Sequence, residues 1–167
     1  MDRHLKAPRR RERARVKKVL FVCTANICRS PMAQEIFNAL AEDADLPFRA
    51  QSAGTAALEG RPMADNALAA LEEVGIYPKR ARSARRVSAA MVEEAELVLA
   101  MTPQHAATLR RLGDGTPPRG IHALAEYASG VGGEGVADPY GLTMAAYRST
   151  LRQLYEYVER VVDRLEG

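Results

Sequence analysis

The chain has 167 residues, 47% of them hydrophobic and 27% charged, with a formal net charge of +3; that is enough to bury one sizeable core and no more than a single domain needs. No apolar run approaches the ~20 residues of a membrane-spanning helix, and the start of the chain lacks the apolar stretch of a secretory signal. Cys23 and Cys28, the only cysteines, fit neither a disulfide framework nor a zinc site, so a reducing, cytoplasmic setting is expected.

Charge is uneven along the chain. Residues 1–18 carry nine Lys or Arg against two acids, net +7, which leaves fifteen against nineteen, net −4, for the remainder. The run Arg9 to Lys18 could touch nucleic acid or an anionic membrane surface, although such blocks are commonly solvated and disordered. Residues 1–17 are therefore assigned as a basic extension and residues 18–167 as the folded domain.

Val19 to Val22 read as a buried strand. Ser30-Pro31 reads as a helix start, with Ser30 as cap and Pro31 as the first helical residue. The loop between them hangs at a helix N-terminus, where unpaired amides and the positive end of the dipole favour a phosphate. Cys23 at the floor of that loop would be a nucleophile, since the dipole and Arg29 favour thiolate. Arg29 offers a planar fork for two phosphoryl oxygens, and Ser30 can donate its hydroxyl to the sulfur.

Further along, Ala33, Ile36, Phe37 and Leu40 make a helical face, followed by a strand near Phe48 to Ser52. Ala64, Ala67, Leu68, Leu71 and Val74 repeat the helical spacing, and Gly75 ends it. Another helix precedes a strand over Glu96 to Met101. Pro103 to Leu112 reads as helix and Gly120 to Leu124 as a short fourth strand. Gly130 to Gly135 reads as a mobile loop, since its glycines neither follow a strand nor open a helix as a dinucleotide site requires. Tyr147, Leu151, Leu154, Val158, Val161 and Leu165 form the inner face of a long final helix. The alternation is that of an α/β unit with a parallel sheet, whose ligand site lies beyond the carboxyl ends of the strands. His4, His105 and His122 are scattered and read as surface or structural residues.

Cysteine, five residues and then Arg-Ser is the signature of the cysteine-dependent phosphatases, and the string Val19 to Pro31 resembles the low-molecular-weight protein tyrosine phosphatase family, in the bacterial branch close to the protein arginine phosphatases. Gln51 to Thr55, Glu93 to Thr102 and Asp138-Pro-Tyr-Gly141 resemble further family segments in the family's order, so the resemblance spans about residues 18–165. It implies an α/β single-domain fold: a four-stranded parallel sheet, order 2-1-3-4, helices on both faces, phosphate-binding loop after strand 1. It also implies Cys23 as nucleophile, Arg29 as phosphate clamp, Asn26 and Ser30 as loop supports and Asp138 as general acid. Thr24, Ala25, Asn26, Ile27, Cys28 and Ser30, with Tyr140 as a wall, would hold the substrate. Neither metal nor cofactor is called for.

Two departures stand out. Ala25 occupies a position where most relatives have glycine, which predicts strain in the loop. Arg82 and Ala84 stand where relatives often have histidine and serine. Cys28 reads either as core packing or as a partner that traps oxidised Cys23 in a disulfide.

For substrate, Ile27 is expected to present an apolar side chain at the pocket rim, which favours a flat ring, and relatives in the arginine-phosphatase branch tend to have threonine there; both favour phosphotyrosine. Phosphoarginine is the alternative, because the run from Glu126 to Gly130 through Asp138 to Gly141, and Tyr147 to Thr150, look most like that branch. Expected partners are phosphorylated proteins, with inorganic phosphate as product. An arsenate reductase relay would need a further cysteine pair, and the chain has none after Cys28. A noncatalytic phosphoprotein-binding module would not need both Cys23 and Asp138.

Overall fold

Strand β1 (Lys17–Cys23) pairs in parallel with β2 (Phe48–Gly54), from Lys17 opposite Phe48 to Cys23 opposite Gly54. On its other side β1 pairs with β3 (Leu97–Ala100), which in turn pairs with β4 (Ile121–Ala123), giving a four-stranded parallel sheet of order 2-1-3-4. The computed structural model describes residues 16–78 and 82–167. Residues 1–15, and with them most of the basic extension, lie outside that range.

Because β1 is interior, both of its faces are covered, which is why it reads as an unbroken apolar run rather than an alternating one. Val19 and Phe21 pack toward helices α1 (Arg29–Asp43) and α6 (Met144–Glu166), in a core with Ile36, Phe37, Leu154 and Val158. Phe21 and Phe37 meet with ring centroids 5.9 Å apart at 60°, an edge-to-face arrangement aromatic pairs prefer. Leu20 and Val22 face the opposite way, toward Val92 of α3 (Ala89–Glu94) and Ala106 and Leu109 of α4 (Pro103–Arg110). Helix α2 (Asp65–Glu73) packs on α6, and Arg148 clamps Glu73 across that contact with two hydrogen bonds of 2.8 Å.

Several expectations hold to the residue. Gly75, at φ 82°, ends α2, with its amide on Glu72 O and that of Ile76 on Leu71 O, the paired bonds of a Schellman motif. Helix α4 opens at Pro103 as expected but ends at Arg110, two residues before the expected Leu112; Thr102 caps it by accepting the His105 amide at 3.2 Å. Others change. Strand β2 runs on to Gly54, two residues beyond the expected end. After β4 the chain turns at once into α5 (Leu124–Ser129), capped by Gly130 in the left-handed region, so the glycine stretch begins as a helix terminus. Among the described residues, no helix is long and apolar enough to cross a membrane.

Candidate active site

The loop from Thr24 to Cys28 leaves the carboxyl end of β1 and enters the first turn of α1, whose residues Arg29 to Ala33 are all buried. Among the described residues, no backbone carbonyl accepts from the amides of Ala25, Asn26, Ile27 or Cys28. Four consecutive unpartnered amides at the positive end of a fifteen-residue helix make a hollow of the kind that favours an anion.

Asn26 is the conformational key. It is fully buried at φ 59°, a left-handed backbone that asparagine tolerates better than most residues. Its Nδ2 donates to Ser30 Oγ at 2.8 Å and Ser52 Oγ at 3.0 Å, while its Oδ1 accepts the Arg85 amide at 3.1 Å and Arg82 at 3.3 Å. Ser52 Oγ in turn donates to Gln34 Oε1 at 2.7 Å. Ala25 is not in the left-handed region. The positive φ that a glycine would suit falls one residue later, at Asn26.

Ser30 is not the helix cap. Cys28 holds that position without a side-chain bond, so Pro31 is the third helical residue, still in the first turn where its missing N–H costs nothing. The Ser30 hydroxyl instead lies 2.9 Å from Cys23 Sγ and 3.4 Å from Ala53 O. Cys23 itself is 2% exposed, at the base of the loop.

Arg29 crosses from the loop to the segment before α6. One guanidinium nitrogen donates to Val136 O at 3.2 Å, and the other stands 3.5 Å from Asp138 Oδ2. Asp138 Oδ1 accepts the Tyr140 amide at 3.1 Å, and its neighbour Ala137 is held by Thr150 and Gln153. Thus residues more than a hundred positions apart in sequence meet over the loop, and together with Thr24, Ala25, Asn26, Ile27, Cys28, Arg61 and Tyr140 they line a cavity of about 220 Å³. Ile27 lines it while remaining 3% exposed in the main core, so it forms wall and not rim. The rim is made by Arg61 and Tyr140, with the Arg61 guanidinium 6.0 Å from the ring centre.

Five residues outside the set expected to act at the site complete it. Gly54 is obligatory, because a Cβ there would collide with Thr24 O and crowd the Asn26 amide. Arg82 and Arg85 run behind the loop, Arg82 donating to Ser52 Oγ at 2.8 Å and Arg85 Nε to Ser52 O at 3.1 Å. Arg82 thus answers the departure noted in the sequence: burial works against its charge and the Glu35 carboxylate favours it. His105 bridges Thr102 and Thr24 at 2.8 Å each, tying α4 to the loop; burial, with Arg29 adding, pushes its imidazole down to about 4, so it stays neutral. Arg61 came from an exposed loop with no motif to mark it. A signal for Arg82 and Arg85 was present in the cluster of arginines after residue 79.

Cys28 is 4% exposed with its Sγ 3.4 Å from the Tyr147 hydroxyl. Burial pushes its thiol up to about 11, the behaviour of a packed thiol at neutral pH. Among the described residues, no cluster of His, Cys, Asp and Glu could hold a metal.

The sequence profile described as "Low molecular weight phosphotyrosine protein phosphatase" matches residues 18–166. A protein-arginine-phosphatase of Bacillus subtilis (strain 168) is 34% identical over 152 residues, covering 89% of this chain and 96% of that protein. A low molecular weight protein-tyrosine-phosphatase of Streptomyces coelicolor is 37% identical over 129 residues, covering 74% and 77%. The crystal structure of the low molecular weight protein tyrosine phosphatase from T. tengcongensis superposes with a TM-score of 0.82 at 33% identity, over 89% of this chain and 99% of that one. With the sheet order, the loop after β1 and this match over nearly the whole described chain, the protein belongs to the low-molecular-weight phosphotyrosine protein phosphatase family.

Proposed function

We propose that this protein hydrolyses phosphotyrosine in phosphorylated proteins through a phosphocysteine intermediate, releasing inorganic phosphate without metal or cofactor. The single observation that carries the reading is the grouping, in one cavity, of Cys23 Sγ 2.9 Å from a hydroxyl and Arg29 3.5 Å from Asp138. Cys23 thiolate attacks phosphorus as the bond to the phenolic oxygen breaks, and the Asp138 carboxyl gives that oxygen its proton. Arg29 and the amides from Ala25 to Cys28 hold the three equatorial oxygens. The Asp138 carboxylate then takes a proton from the water that attacks phosphorus, the P–S bond breaks, and Ser30 steadies the departing thiolate. The phosphatase domain begins with β1 at Lys17, one residue before the boundary expected from the sequence, with the basic run ahead of it as an extension, and a reducing cytoplasm suits two cysteines that are both free thiols.

Phosphotyrosine is favoured by the apolar wall of Ile27 and the aromatic rim at Tyr140, which suit an aryl ring. Arg61 at the same mouth disfavours a substrate that carries a guanidinium of its own. Phosphoarginine is the second reading, favoured by the 34% identity to a relative named for that activity. Phosphate release from matched phosphotyrosine and phosphoarginine peptides decides between them, with Ile27→Thr beside the parent. The account expects the parent to prefer phosphotyrosine and Ile27→Thr to narrow the preference; a parent that prefers phosphoarginine makes the second reading the function.

A further inference from the structure

We propose that Arg61 selects phosphoproteins bearing an acidic side chain next to the phosphorylated residue, an inference that rests on the phosphatase reading of the cavity and adds a substrate class to it. Arg61 is exposed and shares the cavity with Cys23, Arg29 and Asp138. Among the described residues, no carboxylate lies within 4.0 Å of its guanidinium. The neighbouring acids are engaged elsewhere: Glu59 accepts the Arg86 amide at 2.8 Å, and Asp138 faces Arg29 and the Tyr140 amide. Arg61 is therefore a cation held over the Tyr140 ring without an anion to satisfy it.

The surroundings fit a peptide. Tyr140 on the rim is 56% exposed, and Leu58 and Leu142, three residues before Arg61 and two after Tyr140 in sequence, are 65% and 59% exposed. A phosphotyrosine side chain filling the cavity brings its own backbone to that mouth, and adjacent residues lie only ~3.8 Å further along the chain. Their side chains meet the Tyr140 ring and Arg61. Arg61, with Arg29 deeper in the same cavity, supplies positive charge where the substrate enters. An acidic flank thus gains a partner, and a basic flank meets a like charge.

The test uses two phosphotyrosine peptides identical except that Glu flanks the phosphorylated residue in one and Gln in the other. The parent should favour the Glu peptide in kcat/KM by about fivefold at low salt, the scale of one exposed ion pair, with the preference fading as salt rises. Arg61→Gln should bring the ratio to about one, and Arg61→Glu should invert it. A parent ratio near one, or Arg61→Gln lowering both peptides equally, overturns the inference and makes Arg61 a general phosphate contact or a bystander. Release of phosphate from neither peptide by the parent overturns the phosphotyrosine reading as well, so the two failures are distinct.

Discussion

Arg82 and Asn26 are joined side chain to side chain, with the Arg82 guanidinium donating to Asn26 Oδ1 at 3.3 Å and to Asn26 O at 3.5 Å. The same nitrogen that reaches Oδ1 also holds Ser52 Oγ, at 2.8 Å. A permanent cation therefore braces, from behind, the one residue of the phosphate loop whose backbone is left-handed. Arg82→Ala should lower kcat/KM about 10- to 100-fold, the range for losing a charged hydrogen-bond partner of a buried polar group, while the circular dichroism of the sheet and helices is retained. Arg82→Lys should recover only part of this, since an ammonium cannot serve both acceptors in a planar fork. Parent-like kinetics in Arg82→Ala would remove Arg82 from the site.

Gly54 makes a separate claim on the same loop. Any Cβ at this position meets Thr24 O, a backbone atom that cannot swing aside. Gly54→Ala should displace the loop and lower activity more than tenfold, with a loss of stability of about 1–3 kcal/mol, typical of overpacking. Steady-state kinetics and urea denaturation of the same sample check both; an unaffected enzyme would mean that the close approach of β2 to the loop is not required.

His105 gives a pH dependence with a definite sign. Its imidazole is pushed down to about 4 in the folded protein by burial, with Arg29 acting the same way, whereas the unfolded chain titrates near 6.5. Between those values the unfolded state binds the extra proton, so this contribution is intact above ~6.5 and is lost as pH falls toward ~4. Urea midpoints near pH 7 and about pH 5 should fall further in the parent than in His105→Gln. Equal falls would contradict the assignment.

Cys28 and Cys23 should differ in reactivity. With the Cys28 thiol pushed up to about 11 by burial, iodoacetamide at neutral pH should label Cys23 alone in the native protein and both cysteines after denaturation. Native Cys23→Ser should take up no label, and peptide mass spectrometry reads the sites. Labelling of Cys28 in the native state would show that it is not the packed thiol described here.

What the sequence made legible is what is local. The strand from Val19, the Cys23 to Ser30 spacing and the helix stop at Gly75 are each fixed by neighbours in the chain, and all stand in the fold. The sheet order was carried by resemblance and by alternation of elements. A serine before an apolar helix usually caps it; here Asn26 and Cys23 claim the Ser30 hydroxyl. Ala25 was expected to carry strain because the φ reversal could not be assigned to Asn26 without its buried partners. Arg82, Arg85 and His105 act across 56, 59 and 81 positions of sequence, and no periodicity encodes such distances. Helix α5 escaped notice because its six residues are too few to display a face.

The central claim is that Cys23 sulfur becomes covalently phosphorylated, and rapid acid quenching of the enzyme mixed with a phosphotyrosine peptide tests it most directly. The account predicts a transient phosphoryl group mapped by mass spectrometry to Cys23, and neither intermediate nor turnover in folded Cys23→Ser. Undiminished phosphate release by Cys23→Ser, or a phosphoryl group on any other residue during turnover, would contradict it.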